Sequence, residues 1–159
     1  MSDHPEQAGR AAMPASRAVL SGIDYFRRIQ SGEAPRAAML ELLGMRLLEV
    51  DEGRVVFGVT PTEQHYNAMG IAHGGLAATL LDSALGCAIN TLAPAGKVFT
   101  TLELKVNFTR PIRVESGALR CEAHVVHMGS RTATSEGRIV DARGKLYAHG
   151  TTTCIVVDT

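Results

Sequence analysis

The sequence contains no tryptophan and only three cysteines in 159 residues. Cys87, Cys121 and Cys154 are far apart, odd in number and form no C-x-x-C pair. Such usage argues against a disulfide framework and favours reduced thiols, so a cytoplasmic location is expected. An excess of charge is lacking too, because sixteen basic residues balance sixteen acidic ones. No whole-molecule field recruits nucleic acid or an anionic membrane, so neither is an expected partner, and an anionic ligand must be held by local groups. There is no G-x-S-x-G elbow, Walker loop or dinucleotide fingerprint. His65 and His149 are isolated. His124 and His127 lie three apart on a predicted strand, where plain alternation sends them to opposite faces, so no metal site is expected.

The chain is long enough for one well-packed core and too short for a second full domain. Met1 to Arg17 mixes charge, Pro, Gly and Ala and has no apolar run of the kind a secretory signal needs. Residues 1–20 read as a flexible tail and 21–159 as a single domain. The longest apolar stretch, Leu76 to Ala93, carries Asp82 in its middle. A mid-helix carboxylate costs at least ~2.5–3.5 kcal/mol in a bilayer, so a helix buried in protein is the expectation.

Two short helices are predicted around Ile23–Gln30 and Arg36–Leu43, separated by Ser31-Gly32 and Pro35. Strands follow at Met45–Val50 and Arg54–Thr60, joined by the turn Asp51-Glu52-Gly53. A polar loop, Pro61–Ile71, leads into His73-Gly74-Gly75. From about Gly75 to Leu92 the chain is apolar nearly all round, the pattern of a helix covered on every side. A narrow stripe interrupts it, since Gly75, Thr79, Asp82, Gly86 and Asn90 recur at helical spacing and share a face. Four strands close the chain at Val98–Thr109, Ala118–His127, Arg131–Asp141 and Leu146–Val157. In the first of them alternation places Leu102, Leu104, Val106 and Phe108 on one face. The class is α+β, with an antiparallel sheet curled around one long helix.

A helix that starts at His73-Gly74-Gly75 offers unpaired N–H groups at the positive end of its dipole, and glycine lets a ligand approach that backbone. Such a terminus can hold a carbonyl oxygen as it becomes an oxyanion. It is equally consistent with an ordinary strand-to-helix turn. Asp82, set among Leu80, Leu81, Ala84 and Leu85, must be paired, face a polar cavity or be held neutral. Gly74 and Asp82 are eight residues apart, or ~12 Å along one helix. One reacting carbon cannot lie ~3 Å from both. If both act on the same carbonyl, a second copy of the chain supplies one of them, and a homodimer follows.

The run from Asn67 through His73-Gly74-Gly75 to Asp82-Ser83 resembles the signature of the PaaI-type hotdog-fold thioesterases. Thr101–Pro111 is similar to the strand that follows the central helix in that family, and the turn His127–Arg131 resembles a loop near the CoA nucleotide. The resemblance spans about Gly44 to Val157. It implies the hotdog fold, dimers that often pair into tetramers, and hydrolysis of acyl-CoA thioesters without a cofactor, coenzyme A being part of the substrate. By position, Asp82 would be general base for water or else the nucleophile. The Gly74 N–H would polarise the carbonyl, and Asn67 and His73 would position the thioester.

The resemblance also implies a hydroxyl residue on the strand after the helix. Matching through Glu103 and Phe108 gives Thr101, whereas alternation puts Thr100 on the helix-facing side. Strand starts are where alternation most often fails, which favours Thr101. For the CoA phosphates, Arg131 and Arg110 are candidates because guanidinium matches phosphate geometry. Gly129 and Ser130 would contribute backbone donors beside Arg131, and Gly75 is a further substrate-binding candidate. Cys87 is expected to pack rather than react. The alternatives on this fold are a non-catalytic acyl-CoA sensor and, further off, an enoyl-CoA hydratase.

Overall fold

The computed structural model describes residues 19–158, so the predicted N-terminal tail lies almost wholly outside the described residues. Two helices come first, α1 (Gly22–Ser31) and α2 (Ala38–Leu42). A hairpin of β1 (Arg46–Asp51) and β2 (Arg54–Val59) precedes the long helix α3 (Gly74–Thr91). Strands β3 (Lys97–Phe108), β4 (Leu119–Met128), β5 (Thr132–Asp141) and β6 (Leu146–Asp158) complete it. All pairings are antiparallel, in the order β1-β2-β4-β5-β6-β3, which leaves β1 and β3 at the edges. The sheet curls around α3, the architecture implied by the resemblance.

Packing follows from the helix sequence. Leu80, Leu81, Leu85 and Ile89 are fully buried against the sheet, each worth roughly 1.5–3 kcal/mol relative to exposure. The covering of α3 is not complete, however. Ala78, Thr79, Asp82, Ser83, Gly86, Cys87 and Asn90 form a half-buried face. The expectation of a helix covered on all sides is thus corrected. The stripe of Thr79, Asp82, Gly86 and Asn90 lies on that face, which β3 meets along one side through Thr101 and Phe99.

Three tethers fix α3 against its surroundings. The Asn90 side chain donates to the Phe99 carbonyl at 2.7 Å and accepts from the Phe99 N–H at 2.9 Å, so it pairs with β3 as another strand would. Ser135 Oγ donates to the Leu85 carbonyl at 3.0 Å. At the C-terminal end, the Gly22 N–H donates to the Ala93 carbonyl at 2.9 Å. A Cβ on Gly22 would lie 1.6 Å from the Asn90 carbonyl oxygen, so only glycine lets α1 approach this closely.

The register slips in several strand pairs, and the slips in β3 and β4 bear on the predicted faces. In β3 the register slips between Thr101 and Glu103, which pair with Cys154 and Thr153 respectively. Leu102 is the extra residue of this bulge and is 61% exposed. Phe99 is buried on one side of it, and Leu104 and Val106 pack on the core beyond it. The predicted apolar face through Leu102 is therefore wrong, because a bulge shifts the inward set by one position. Phe108 is also largely exposed, lying past the core at the N-terminus of α3. In β4 the register slips between Val125 and His127, which pair with Ser135 and Thr134. Since His124 pairs with Glu136, this slip turns both histidines to the outer face, against the alternation argument. His124 Nε2 lies 2.9 Å from Glu136 Oε1, and no cluster suited to a metal ion occurs among the described residues.

Candidate active site

The loop before α3 is built around Asn67. Its Oδ1 accepts the Met69 N–H at 2.9 Å, and its own N–H donates to the Ile71 carbonyl at 2.8 Å. This local turn is the reason an Asn suits the position. The Asn67 NH2 is left as a donor, without a partner among the described residues. Further on, the Ala72 N–H bonds the Ile112 carbonyl and the His73 N–H bonds the His65 carbonyl. The chain therefore enters α3 at a fixed angle.

His73 is the N-cap of α3, and its Nδ1 accepts the Gly75 N–H at 2.9 Å. An accepting Nδ1 requires the ring proton on Nε2, which assigns the tautomer and leaves Nε2–H as a donor. Leu76 N–H bonds the His73 carbonyl. Of the first amides of the helix, Gly75 and Leu76 are thus engaged, and Gly74 has no partner among the described residues. The unpaired amide expected at this terminus is specifically that of Gly74.

Asn67, His73 and Gly74 line one cavity of about 340 Å³, closed by Phe108, Arg110, Ile112 and Tyr147. A Cβ on Gly74 would meet the Phe108 ring at 3.2 Å, so glycine preserves the gap between helix end and ring. Arg110 Nη1 donates to the Leu146 carbonyl at 2.6 Å, and its guanidinium lies 6.0 Å from the Tyr147 ring centroid. Arg113, on the following segment, donates to the Gly70 carbonyl at 3.0 Å and braces the Asn67 loop. Arg113 and Tyr147 carried no signal in the sequence, and Phe108 read only as a strand residue, because their importance depends on which loop folds against them.

Asp82 sits two turns further along α3, on the half-buried face, and Oδ1 accepts the Thr101 hydroxyl at 2.9 Å. On the α3 side of the β3 bulge, Thr101 rather than Thr100 faces Asp82. Thr101 Oγ1 also lies 3.9 Å from Cys154 Sγ. Burial pushes the Cys154 thiol up from its ordinary value, and the contact from Thr101 opposes this. Cys121, enclosed in the core, is pushed up further by burial alone. Neither thiol is suited to act as a nucleophile.

Gly129, Ser130 and Arg131 form the turn between β4 and β5. The Gly129 N–H bonds the Thr132 carbonyl, and the Arg131 carbonyl accepts from Val156. Thr132 pairs with Ile155, which pairs with Thr100, so this turn lies at the Thr100 end of the sheet. The predicted residues thus fall into two groups on one chain. Asn67, His73, Gly74, Gly75 and Arg110 gather at the start of α3. Asp82, Thr101 and the Gly129–Arg131 turn belong to its other half. One group supplies hydrogen-bond donors, and the other supplies a carboxylate with a hydroxyl aimed at it.

Comparison with known proteins identifies the family. The family model described as the thioesterase superfamily matches residues 69–148. The acyl-coenzyme A thioesterase PaaI of Escherichia coli is 30% identical over 111 residues, covering 70% of this chain and 76% of that protein. Human acyl-coenzyme A thioesterase 13 is 31% identical over 109 residues, covering 65% and 74%. The solved structure of the E. coli PaaI protein superimposes with a TM-score of 0.74 at 27% identity, covering 87% of this chain and 96% of that one. The chain belongs to the thioesterase superfamily and is a PaaI-type, hotdog-fold enzyme that hydrolyses thioesters.

Proposed function

We propose that the protein hydrolyses acyl-CoA thioesters at composite sites of a homodimer, with Asp82 as general base and Gly74 as oxyanion donor. The observation that carries this is the division of the site. The donor group at Gly74 and the carboxylate at Asp82 are ~12 Å apart on one helix, yet the reaction needs both at one carbonyl. Strand β3, which bears Thr101, is an edge of the sheet. Antiparallel pairing of β3 with the same strand of a second copy would bring Asp82 of one protomer toward Gly74 of the other.

At such a site the water oxygen attacks the thioester carbon while its proton passes to Asp82. Thr101 holds Oδ1 and leaves Oδ2 to take that proton. The carbonyl oxygen gains charge beside the Gly74 N–H, a fixed donor at the positive end of a helix. The Asn67 NH2 and His73 Nε2–H lie in the same cavity and position the thioester. Collapse of the adduct breaks the C–S bond, and the proton returns from Asp82 to the leaving thiolate. Arg110, beside the cavity, and the Gly129–Arg131 turn supply guanidinium and backbone donors for the CoA phosphates. The acid base of this scheme needs neither cofactor nor metal. The reduced cysteines fit a cytoplasmic enzyme, and a dimer of dimers is the larger assembly this fold would allow.

The test is thiol release from a panel of acyl-CoAs by wild type and Asp82→Asn. Release by wild type with a ~10²–10⁴-fold loss in the variant is expected for a general base. Full activity in the variant would remove Asp82 from the mechanism.

A further inference from the structure

A second cavity of about 340 Å³ lies on the opposite flank of α3 from β3. Phe26 and Ile29 of α1, Leu40 of α2, Leu47 of β1, Phe57 of β2 and Cys87 of α3 line it. The volume falls within the ~300–1,000 Å³ of small-molecule sites, near their lower end. Arg36, also on its wall, is exposed, and such a side chain can add apolar stem while its head stays in water. Apart from Cys87, every one of these residues precedes the segment matched by the superfamily model, which begins at residue 69. The helical lead-in therefore adds a feature that the shared catalytic segment does not contain.

We infer that this cavity receives the far end of a linear aliphatic acyl chain, octanoyl or longer, whose thioester carbon lies at Asp82. The inference rests on the acyl-CoA hydrolase reading and names its substrate class. Its ground is that Cys87, the α3 residue on the cavity wall, lies on the same half-buried face of α3 as Asp82. Asp82 and Cys87 are ~7.5 Å apart along the helix axis, and the residues of that face between them are Ser83 and Gly86. Both are too small to block a chain passing from the carboxylate to the cavity. A short acyl group ends before reaching Cys87, whereas a medium-length chain crosses Gly86 and enters. Apolar walls favour a hydrocarbon occupant over water, since apolar cavities stay dry and take up apolar ligands.

Cys87 provides a direct probe. It is half-buried, while Cys121 and Cys154 are fully enclosed. Alkylation of Cys87 by iodoacetamide is followed by mass spectrometry with the non-hydrolysable thioethers S-decyl-CoA and S-ethyl-CoA. S-decyl-CoA is expected to slow alkylation at least about tenfold and S-ethyl-CoA not to slow it, because only the longer chain reaches the thiol. In parallel, kcat/KM is measured for decanoyl-CoA and butanoyl-CoA with wild type, Cys87→Phe and Leu40→Trp. The decanoyl-to-butanoyl ratio is expected to fall at least about tenfold in a variant whose cavity is filled. Using a ratio separates loss of the cavity from loss of the fold, and the alkylation result needs no variant. Equal protection by both thioethers, or no protection together with an unchanged ratio, overturns the assignment. A wild type that hydrolyses butanoyl-CoA but not decanoyl-CoA also overturns it while leaving the hydrolase reading intact. A wild type inactive on every thioester, yet protected by S-decyl-CoA, contradicts the hydrolase reading and supports the cavity.

Discussion

The Thr101 hydroxyl donates to Asp82 Oδ1 at 2.9 Å, across the face of α3 that the rest of the sheet leaves half open. A hydrogen bond to a charged group is worth about 1.5–3 kcal/mol, so removing this one should lower kcat by roughly 10–100-fold. Thr101→Ala is expected to show that loss and Thr101→Ser to recover most of the activity. Thr100→Ala should change kcat less than about twofold, as an exposed strand position outside the site. Steady-state thiol release with the three variants checks the ordering. Equal effects at the two threonines would refute the role assigned to the bulge.

That pair also marks the boundary of what the sequence could tell. The long helix was legible because the His-Gly-Gly start and the apolar run are local signals. The strands were legible to within a residue or two at each end. The inward face of β3 was not, since the bulge at Leu102 arises from pairing with β6 and has no marker in the residue pattern. The slip in β4 misled the reading of His124 and His127 for the same reason. Gly74 and Asp82 could be singled out from residue type and spacing, and Asn67 and His73 through the family resemblance. That the Gly75 amide would be taken by His73 could not, because it depends on a side-chain rotamer.

Asn90 acts on the site through β3. Replacing it with Ala strands the Phe99 N–H and carbonyl that its amide now satisfies. Unsatisfied polar groups in a part-buried setting cost about 1–3 kcal/mol. Asn90→Ala should therefore lower the urea midpoint by an amount corresponding to about 2 kcal/mol, and kcat should fall as Thr101 loses its fixed position. Chemical denaturation and thiol release on the same preparation check both. A loss of stability with kcat unchanged would confine Asn90 to the core.

Gly74→Ala should separate activity from stability. In a helix Ala is favoured over Gly by roughly 0.5–1 kcal/mol, and the new Cβ meets only the end of the Phe108 ring, at 3.2 Å, which can shift outward. The midpoint of thermal unfolding should not fall. The methyl group nevertheless intrudes on the gap between the helix end and the Phe108 ring, so kcat/KM should drop at least about tenfold as the carbonyl is kept from the Gly74 N–H. Full activity in a stable variant would place the oxyanion elsewhere.

Acid stability should depend on Asp141. The Lys145 and Arg143 backbone N–H groups donate to its carboxylate at 3.0 and 2.9 Å. With the Lys145 bond the larger cause, they hold the carboxyl below its ordinary value despite the opposing effect of burial. A carboxyl with a depressed folded-state pKa contributes stability above its unfolded value, and that contribution is lost as pH falls through the folded one. Wild type should therefore lose stability on acidification below the ordinary carboxylate range, about pH 4. Asp141→Asn should be less stable than wild type at neutral pH, with the difference shrinking toward acid. Urea midpoints measured across pH test this, and a difference that stays constant would exclude Asp141 as a source of the acid limb.

The division of the site between protomers gives a complementation test that no single-chain arrangement passes. Asp82→Asn lacks the carboxylate and Asn67→Ala lacks a donor of the opposite group, so each variant alone should be nearly inactive. In a heterodimer of the two, one composite site combines both lesions and the other contains neither. Random reassortment makes half the dimers mixed, each with one intact site of two, so about a quarter of wild-type activity should return. Mixing after mild denaturation, with mass spectrometry to confirm exchange, provides the measurement. If the catalytic groups acted within a single chain, each protomer would keep its own lesion and exchange would restore nothing. Recovery near a quarter would show that Asn67 and the carboxylate at Asp82 act together only across two protomers.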